Sequence, residues 1–424
     1  MINFVIFIKR QVTQIMAGGL STLINKLNIL FLHLRWVPMY FLVFPIVILI
    51  RLLSPIILIR WQGIHASRIG HFAGNLELYL CEKDHGINVP SQKHFDIFFL
   101  EHIPICNQQL FLMWKRVLRI WPRFIFYPIK VVNNILPGGN IHNCSSSCSD
   151  RDVHNLYDKT SPHLFFNEEE EKKGLQGLLD LGLKHESKFV CLMVRDSAYL
   201  PENQYHSYRD GDIQSYMLAS EELTKRGYYV IRMGAAVKYE FNSKNPKIID
   251  YATNGKRNEF MDIFLGAKCE YCISTSTGFD AIPTIFRKPN VFITVPLGYI
   301  YTFSENFLSI TKHHFSIKEG QELSLDEIFD NNVAYSLDSE NFKDNGVYLV
   351  DNSPEEIRDV AIEMDDRING NSEVNNELMQ NSFKKSFLIN IKKDRRGLHG
   401  KIVSSFGAKF LEENPSFCSN LYLR

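Results

Sequence analysis

Acidic residues are missing from the first 76 positions of this 424-residue chain, and Glu77 is the first of them. The same stretch carries seven bases, Lys9, Arg10, Lys26, Arg35, Arg51, Arg60 and Arg68. Over the whole chain the imbalance disappears, because 47 Lys and Arg meet 47 Asp and Glu. A net charge of zero argues against a general nucleic-acid binder, which needs a surplus of bases to hold phosphates. There is no internal repeat. No Walker loop, GxSxG elbow, HExxH or dinucleotide GxGxxG occurs, which disfavours NTPase, hydrolase and dehydrogenase readings. A disordered composition is also absent: 45% hydrophobic and 12% aromatic residues supply material for two cores.

The acid-free lead encloses the most apolar run, residues 37–59 (VPMYFLVFPIVILIRLLSPIILI). A membrane span needs roughly 20 apolar residues, so the length fits. Arg51 lies well inside the run, and prolines at 38, 45 and 55 weaken a continuous helix. A full span, a re-entrant or surface-lying segment and a buried helical hairpin all remain open. A secretory signal is disfavoured, since the run starts late and no small-residue cleavage site follows. The flanking bases favour the cytoplasmic face of the inner membrane and its anionic lipids, as a peripheral or single-span attachment. Of the 8 cysteines, Cys269 and Cys272 fall on an expected buried strand and read as core. Cys144 and Cys148 flank a polar loop near His142, a sparse metal pattern. No metal and no cofactor is expected, and the thiols read as reduced and cytosolic.

From residue 186 the pattern is regular. Apolar runs at 189–194, 228–233, 247–251, 271–274 and 290–294 alternate with helical periodicity at 212–226 and 258–265. Strands alternating with helices of this length predict a parallel sheet with right-handed crossovers. Ser353 and Pro354 open a late helix to 368. Upstream, 96–100 reads as a strand and 108–132 as one amphipathic helical stretch. The expected division is a membrane-associated segment 1–62, an N-terminal domain 63–185, a C-terminal domain 186–370 and a helical tail 371–424.

In a doubly wound sheet, the loops at the carboxyl ends of the strands converge on one crevice. Here these are Arg195-Asp196 after the first strand, Met233-Gly234 after Arg232, and the turn Ser274-Thr275-Ser276-Thr277-Gly278. Arg209 enters from the segment 206–210. Arginine forks, hydroxyls and a helix start near Phe279 suit a diphosphate. Asp210-Gly211-Asp212 matches the DxD by which many glycosyltransferases hold a divalent ion, but Asp150-Arg151-Asp152 matches equally, and Asp212 suits a helix start. Further upstream, Ser67-Arg68-Ile69-Gly70-His71 stands at a turn into a helix. His71 is suited to general-base work near neutrality, with Glu77 and Asp196 as reserve candidates.

The motifs VRDSAYL, HSYRDGDIQSYMLASEELTKRGYYVIRMG and CISTSTGFDAIPTIFRKP, with SRIGHFAGNLELYL and HGKIVSSFGAKFLEEN, resemble a family of bacterial glycosyltransferases. Its members are found with surface-polysaccharide biosynthesis genes, and the resemblance covers about residues 60–415. It implies a GT-B-like α/β architecture, two Rossmann-like domains facing a cleft. The nucleotide-sugar donor would lie on Arg195, Arg209, Arg232, Gly234, Ser274, Thr275, Ser276, Thr277 and Gly278. A glycan or lipid-linked acceptor would lie beside Arg68, Gly70 and His71. Metal-independent transfer of a sugar follows from that reading. A non-hydrolysing nucleotide-sugar epimerase on the same scaffold and a non-catalytic scaffold of a polysaccharide assembly complex are the alternatives.

Overall fold

The computed structural model describes residues 36–144, 146, 149–184, 186–198, 204–371, 377–393 and 396–418, with isolated positions between 16 and 27. Most of the acid-free lead before residue 36, and Cys148 of the Cys144/Cys148 pattern, lie outside the described residues. The first elements are α1 (Val37–Leu53), β1 (Leu58–His65), α2 (Ile69–Asp84), β2 (His94–His102), α3 (Gln108–Val117) and α4 (Arg123–Ile135). The chain continues through α5 (Glu168–Asp180), β3 (Phe189–Met193), α6 (Met217–Lys225), β4 (Tyr229–Arg232), β5 (Ile248–Asp250), α7 (Glu259–Lys268), β6 (Tyr271–Ser274), α8 (Ala281–Ile285), β7 (Asn290–Ile293) and β8 (Phe307–Ile310). It ends with β9 (His313–Ser316), α9 (Leu325–Asp330), α10 (Ser339–Asp344), β10 (Val347–Val350), α11 (Pro354–Ile368), α12 (Glu377–Lys393), β11 (Ser405–Phe406) and α13 (Ala408–Glu413).

Contacts group the chain into two compact units along lines other than the expected 62, 185 and 370. The first unit joins residues 1–64, 90–101 and 119–144. In it β1 pairs with β2, and the apolar stripe Val43, Val47 and Ile50 of α1 packs with Phe126, Ile129 and Val132 of α4 over Trp61, Ile97 and Phe99. Arg51, out of place in an apolar run, has a local reason. Its guanidinium donates to the carbonyls of Asn133, Leu136 and Pro137 at the end of α4, where helix carbonyls lack a full set of intrahelical donors. A buried ion pair, Arg60 to Asp96 at 2.7 Å, ties β1 to β2. The expected single stretch 108–132 is broken: α3 ends at Val117, and Pro122 stands before α4.

The second unit holds a seven-stranded sheet in the order β11-β8-β7-β6-β3-β4-β5. Its pairings are all parallel. The strands are short and buried on both faces, as covered parallel sheets require. From β3 the chain winds outward through β4 to β5, then returns to β6 on the other side of β3. The order therefore reverses between β3 and β6, which is where ligands bind in such sheets. The expected C-terminal tail completes this sheet: β11 pairs with β8, and Phe383, Phe387, Phe406, Phe410 and Phe417 belong to the core. Among the described residues, 63–185 contributes β2, which forms a two-stranded sheet with β1 and bridges to Ile120 through Phe98, while α2 and α3 belong to the second unit.

Candidate active site

Each loop at the reversal point has its own local logic. After β3 the backbone N–H of Arg195 donates to Thr275 Oγ1 at 2.9 Å, which locks the two loops flanking the crevice. The Arg195 guanidinium donates to the carbonyl of His206 at 3.3 Å and to the Asp210 carboxylate. Ser274 Oγ donates to Asp280 at 2.8 Å and accepts from the N–H of Thr277, which closes the hydroxyl-rich turn around a buried acid. Burial pushes the Asp280 carboxyl up to about 7, against the lowering effect of those hydrogen bonds. Ser276 sits at φ 54°, and its hydroxyl shares a 2.9 Å hydrogen bond with Thr294.

A cavity of about 400 Å³ opens at this point. Its lining includes Arg68, Gly70, His71, Arg195, Asp196, Arg209, Gly234, Ser276, Thr277 and Gly278. Three lining groups are buried without a hydrogen-bond partner, Thr277 Oγ1, Arg209 Nε and His206 Nδ1. Leaving such groups unpaired costs about 1–3 kcal/mol each, so a polar ligand at this place would stabilise the fold as well as bind. Asp280, Asp150, His206, Arg257 and Asp262 complete the polar lining, with Tyr157, Tyr301, Phe303 and Phe307 forming an aromatic wall.

The expected helix start near Phe279 is displaced. Helix α8 begins at Ala281 and is five residues long, so it supplies little dipole. The helix end that reaches the cavity is the first turn of α2, sixteen residues long and without a side-chain cap at Arg68. Gly70 and Gly278 meet backbone to backbone there. A Cβ on Gly70 would lie 3.0 Å from Gly278 Cα, and one on Gly278 would lie 3.2 Å from Gly70 N. The two turns singled out as acceptor and donor loops are therefore in direct contact.

Other expected site residues serve the frame. Glu77 is fully buried, accepts from Arg287 at 2.6 Å and sits 3.1 Å from His163; it does not line the cavity. Arg232 is fully buried against Asp250 at 3.1 Å, with the cavity wall beginning one residue later. Ser274 and Thr275 hold the turn from behind. Asp196 lines the cavity, but its carboxylate accepts from the N–H groups of Ala198 and Lys238 and so staples the loop after β3 to the loop after β4. In the DxD, Asp210 pairs with Arg195 and Asp212 caps a short 3-10 turn at Ile213–Tyr216. One cluster among the described residues has ligand atoms close enough for an ion, Glu77, Cys81 and His163, all within 4.8 Å. The Arg287 guanidinium already holds it, contacting both Glu77 and Cys81.

Sequence reasoning passed over Asp280 and His206. Asp280 carried a signal, an acid six positions after Ser274 in the same motif; His206 lies in a segment singled out only for its arginine.

The fold and cavity define a doubly wound α/β protein with a cavity at the sheet's reversal point. No family model matches the chain, and no curated protein matches it. Among solved structures it is similar to the bacterial iron-containing dodecameric glycosyltransferase TibC from enterotoxigenic E. coli, at 11% identity and a TM-score of 0.28, covering 59% of each chain. A second structure, the dodecameric iron-containing heptosyltransferase TibC with ADP-D-beta-D-heptose, matches at 11% identity and a TM-score of 0.26, covering 57% of this chain and 58% of that one. The chain thus spans less than two thirds of these structures. At such scores the likeness carries no weight for function.

Proposed function

We propose that the protein is a nucleotide-sugar-dependent glycosyltransferase acting on a cell-surface glycan or lipid-linked acceptor. The observation that carries this reading is the pair of buried, unpartnered groups Thr277 Oγ1 and Arg209 Nε in a cavity at the sheet's reversal point. An anion with several acceptor oxygens satisfies both, and arginine forks suit phosphate. Arg195 would exchange Asp210 for the donor diphosphate, while Ser276, Thr277, Gly278 and the first turn of α2 line its other side. Asp210 and Asp212 have protein partners, so the reading assigns charge neutralisation to arginines and helix dipole rather than to a metal.

In the transfer, the acceptor oxygen bonds to the anomeric carbon as the bond from that carbon to the phosphate oxygen breaks. The leaving diphosphate keeps the electron pair, and the acceptor proton passes to His71. The acceptor side is thus assigned to Arg68, Gly70 and His71, not to a second Rossmann sheet over 63–185.

Attachment to the cytoplasmic face of a membrane through the N-terminal region belongs to the same proposal. No helix among the described residues is long and apolar enough to cross a membrane. Helix α1 instead leaves Phe41, Leu42, Leu49 and Leu52 exposed opposite its buried stripe, which suits lying in one leaflet.

The test is direct binding of UDP, GDP, ADP and CDP to wild type and to Thr277→Val. One of the nucleotides is expected to bind, and the variant to bind it about tenfold more weakly, the loss of one hydrogen bond. Binding of none of the four, or equal affinity in the variant, would sink the reading.

A further inference from the structure

We propose that His206 is a switchable cation of the diphosphate cradle: neutral before the nucleotide binds, and protonated when a diphosphate lies on Arg195 and Arg209. This rests on the nucleotide reading above and adds to it a group that answers to the charge of the ligand.

His206 belongs to the short 3-10 segment Gln204–Arg209, and its ring lines the cavity. Its Nδ1 is buried and has no hydrogen-bond partner, so the ring holds a lone pair that nothing in the protein uses. The ring is wedged against Tyr205 at 4.0 Å and Tyr208 at 5.9 Å between centroids, and its own carbonyl accepts from Arg195. Its position is therefore tied to the same guanidinium that would hold the phosphate.

The electrostatics follow from that placement. Burial lowers the affinity of the ring for a proton, and three cations lower it further: Arg209 on its own segment, Arg195 after β3 and Arg68 at the start of α2. A hydrogen bond to the Leu337 backbone works the other way. The acid on this side, Asp210, is already paired with Arg195, and Lys312 holds the Asp210 carbonyl. A diphosphate reverses the sign of that surrounding. It offsets the arginines and offers an acceptor, and both effects favour imidazolium.

A catalytic consequence follows. When the bond from the sugar to the phosphate breaks, the diphosphate gains one negative charge. A group whose protonation grows with that charge binds the departing diphosphate more strongly than the intact donor, which is the preference that accelerates a reaction. The proton comes from solvent, so the acceptor proton remains with His71 and the balance of the transfer is unchanged.

The sign of the linkage is fixed. The histidine binds its proton more tightly in the complex, so the gain in affinity is full below the free-state value and is lost as pH rises through the bound-state value. The nucleotide that binds tightest from the UDP, GDP, ADP and CDP panel is titrated by calorimetry near neutral pH in two buffers of different ionisation enthalpy. Wild type should take up more protons than His206→Gln. The difference cancels the nucleotide's own titration, and the affinity of the variant should depend less steeply on pH. Independently, in wild type labelled at histidine, one ring should shift to its protonated signature when the nucleotide is added. If no nucleotide binds, this inference and the proposed function fall together. If one binds with equal proton uptake in both proteins, or with no ring changing protonation, the inference alone is overturned.

Discussion

At the scale of single residues, Ser276, Thr277 and Gly278 are legible in the sequence because their signal is local: a hydroxyl-rich turn between an apolar run and a helix. Glu77 and Arg232 mislead for the opposite reason. Each is a charged residue near a strand or helix of the expected site, and each is neutralised by a partner that no local pattern reveals. Arg287 lies 210 positions from Glu77. Asp250 meets Arg232 only because β4 and β5 are in register. His71 differs from both, as it lines the cavity in the first turn of α2. Replacing His71 with Ala should slow turnover by about 10²–10⁴, the usual worth of a positioned base. Nucleotide affinity should stay within about threefold of wild type. Turnover near wild type would make His71 structural and send the search for the base to Asp280, the buried acid of the neighbouring turn.

Among the elements, the strands from β3 to β7 follow the expected runs to within a residue or two, since burial on both faces writes itself as continuous apolar sequence. Ser353 caps α11 as its side chain predicts, accepting from the N–H of Glu356. The later strands were not legible: β9 carries His313 and His314 instead of an apolar run. Those two histidines set opposite pH dependences. Burial opposes charge on His313, but hydrogen bonds and charge from Glu322 and Glu356 outweigh it and raise the ring to about 9 from 6.5. Its stabilising contribution is complete below 6.5 and is lost as pH rises through about 9. Burial instead lowers His314, and likewise His399, to about 4. Both must take up a proton on unfolding in acid, so their contribution is lost as pH falls from 6.5 towards 4. Urea midpoints should therefore peak near neutrality. His313→Gln should flatten the alkaline side by up to roughly 3 kcal/mol, with a smaller change on the acid side because His313 also lowers His314 and Glu356. An alkaline slope identical in the variant would show that the Glu322–His313–Glu356 bridge contributes nothing.

On the scale of the whole molecule, an outward apolar helix within an acid-free lead is a cost to any protein that stays in water. Phe41 is 77% exposed and Leu52 71% exposed, and the same helix buries Val47 completely. Each such side chain adds about 1.5–3 kcal/mol on entering an apolar phase, and each nearby base about 1 kcal/mol on an anionic surface. Wild type should sediment with vesicles containing phosphatidylglycerol, and Phe41→Ser/Leu49→Ser/Leu52→Ser should weaken that partition by at least tenfold without disturbing the cavity. A wild type that stays in the supernatant would remove the membrane from the reading. The sequence showed the apolarity and the charge but left span and surface helix open. Among the described residues Arg51 is held at the end of α4, and no helix is long and apolar enough to cross a membrane.

The touch between Gly70 and Gly278 reaches further than either residue. Two backbones in van der Waals contact act as a gauge block. They set the separation of the turn bearing His71 from the turn bearing Thr277 with no side chain in between, and that separation does not depend on which rotamers the cavity adopts. On the proposed function, those two turns need not close on the substrates, since the contact between them already sets their spacing. Selectivity is then left to the walls around the gauge, the aromatic side at Tyr301 and Phe303 and the loop at 233–237. Those walls can change with the substrate while the distance between the turns stays constant.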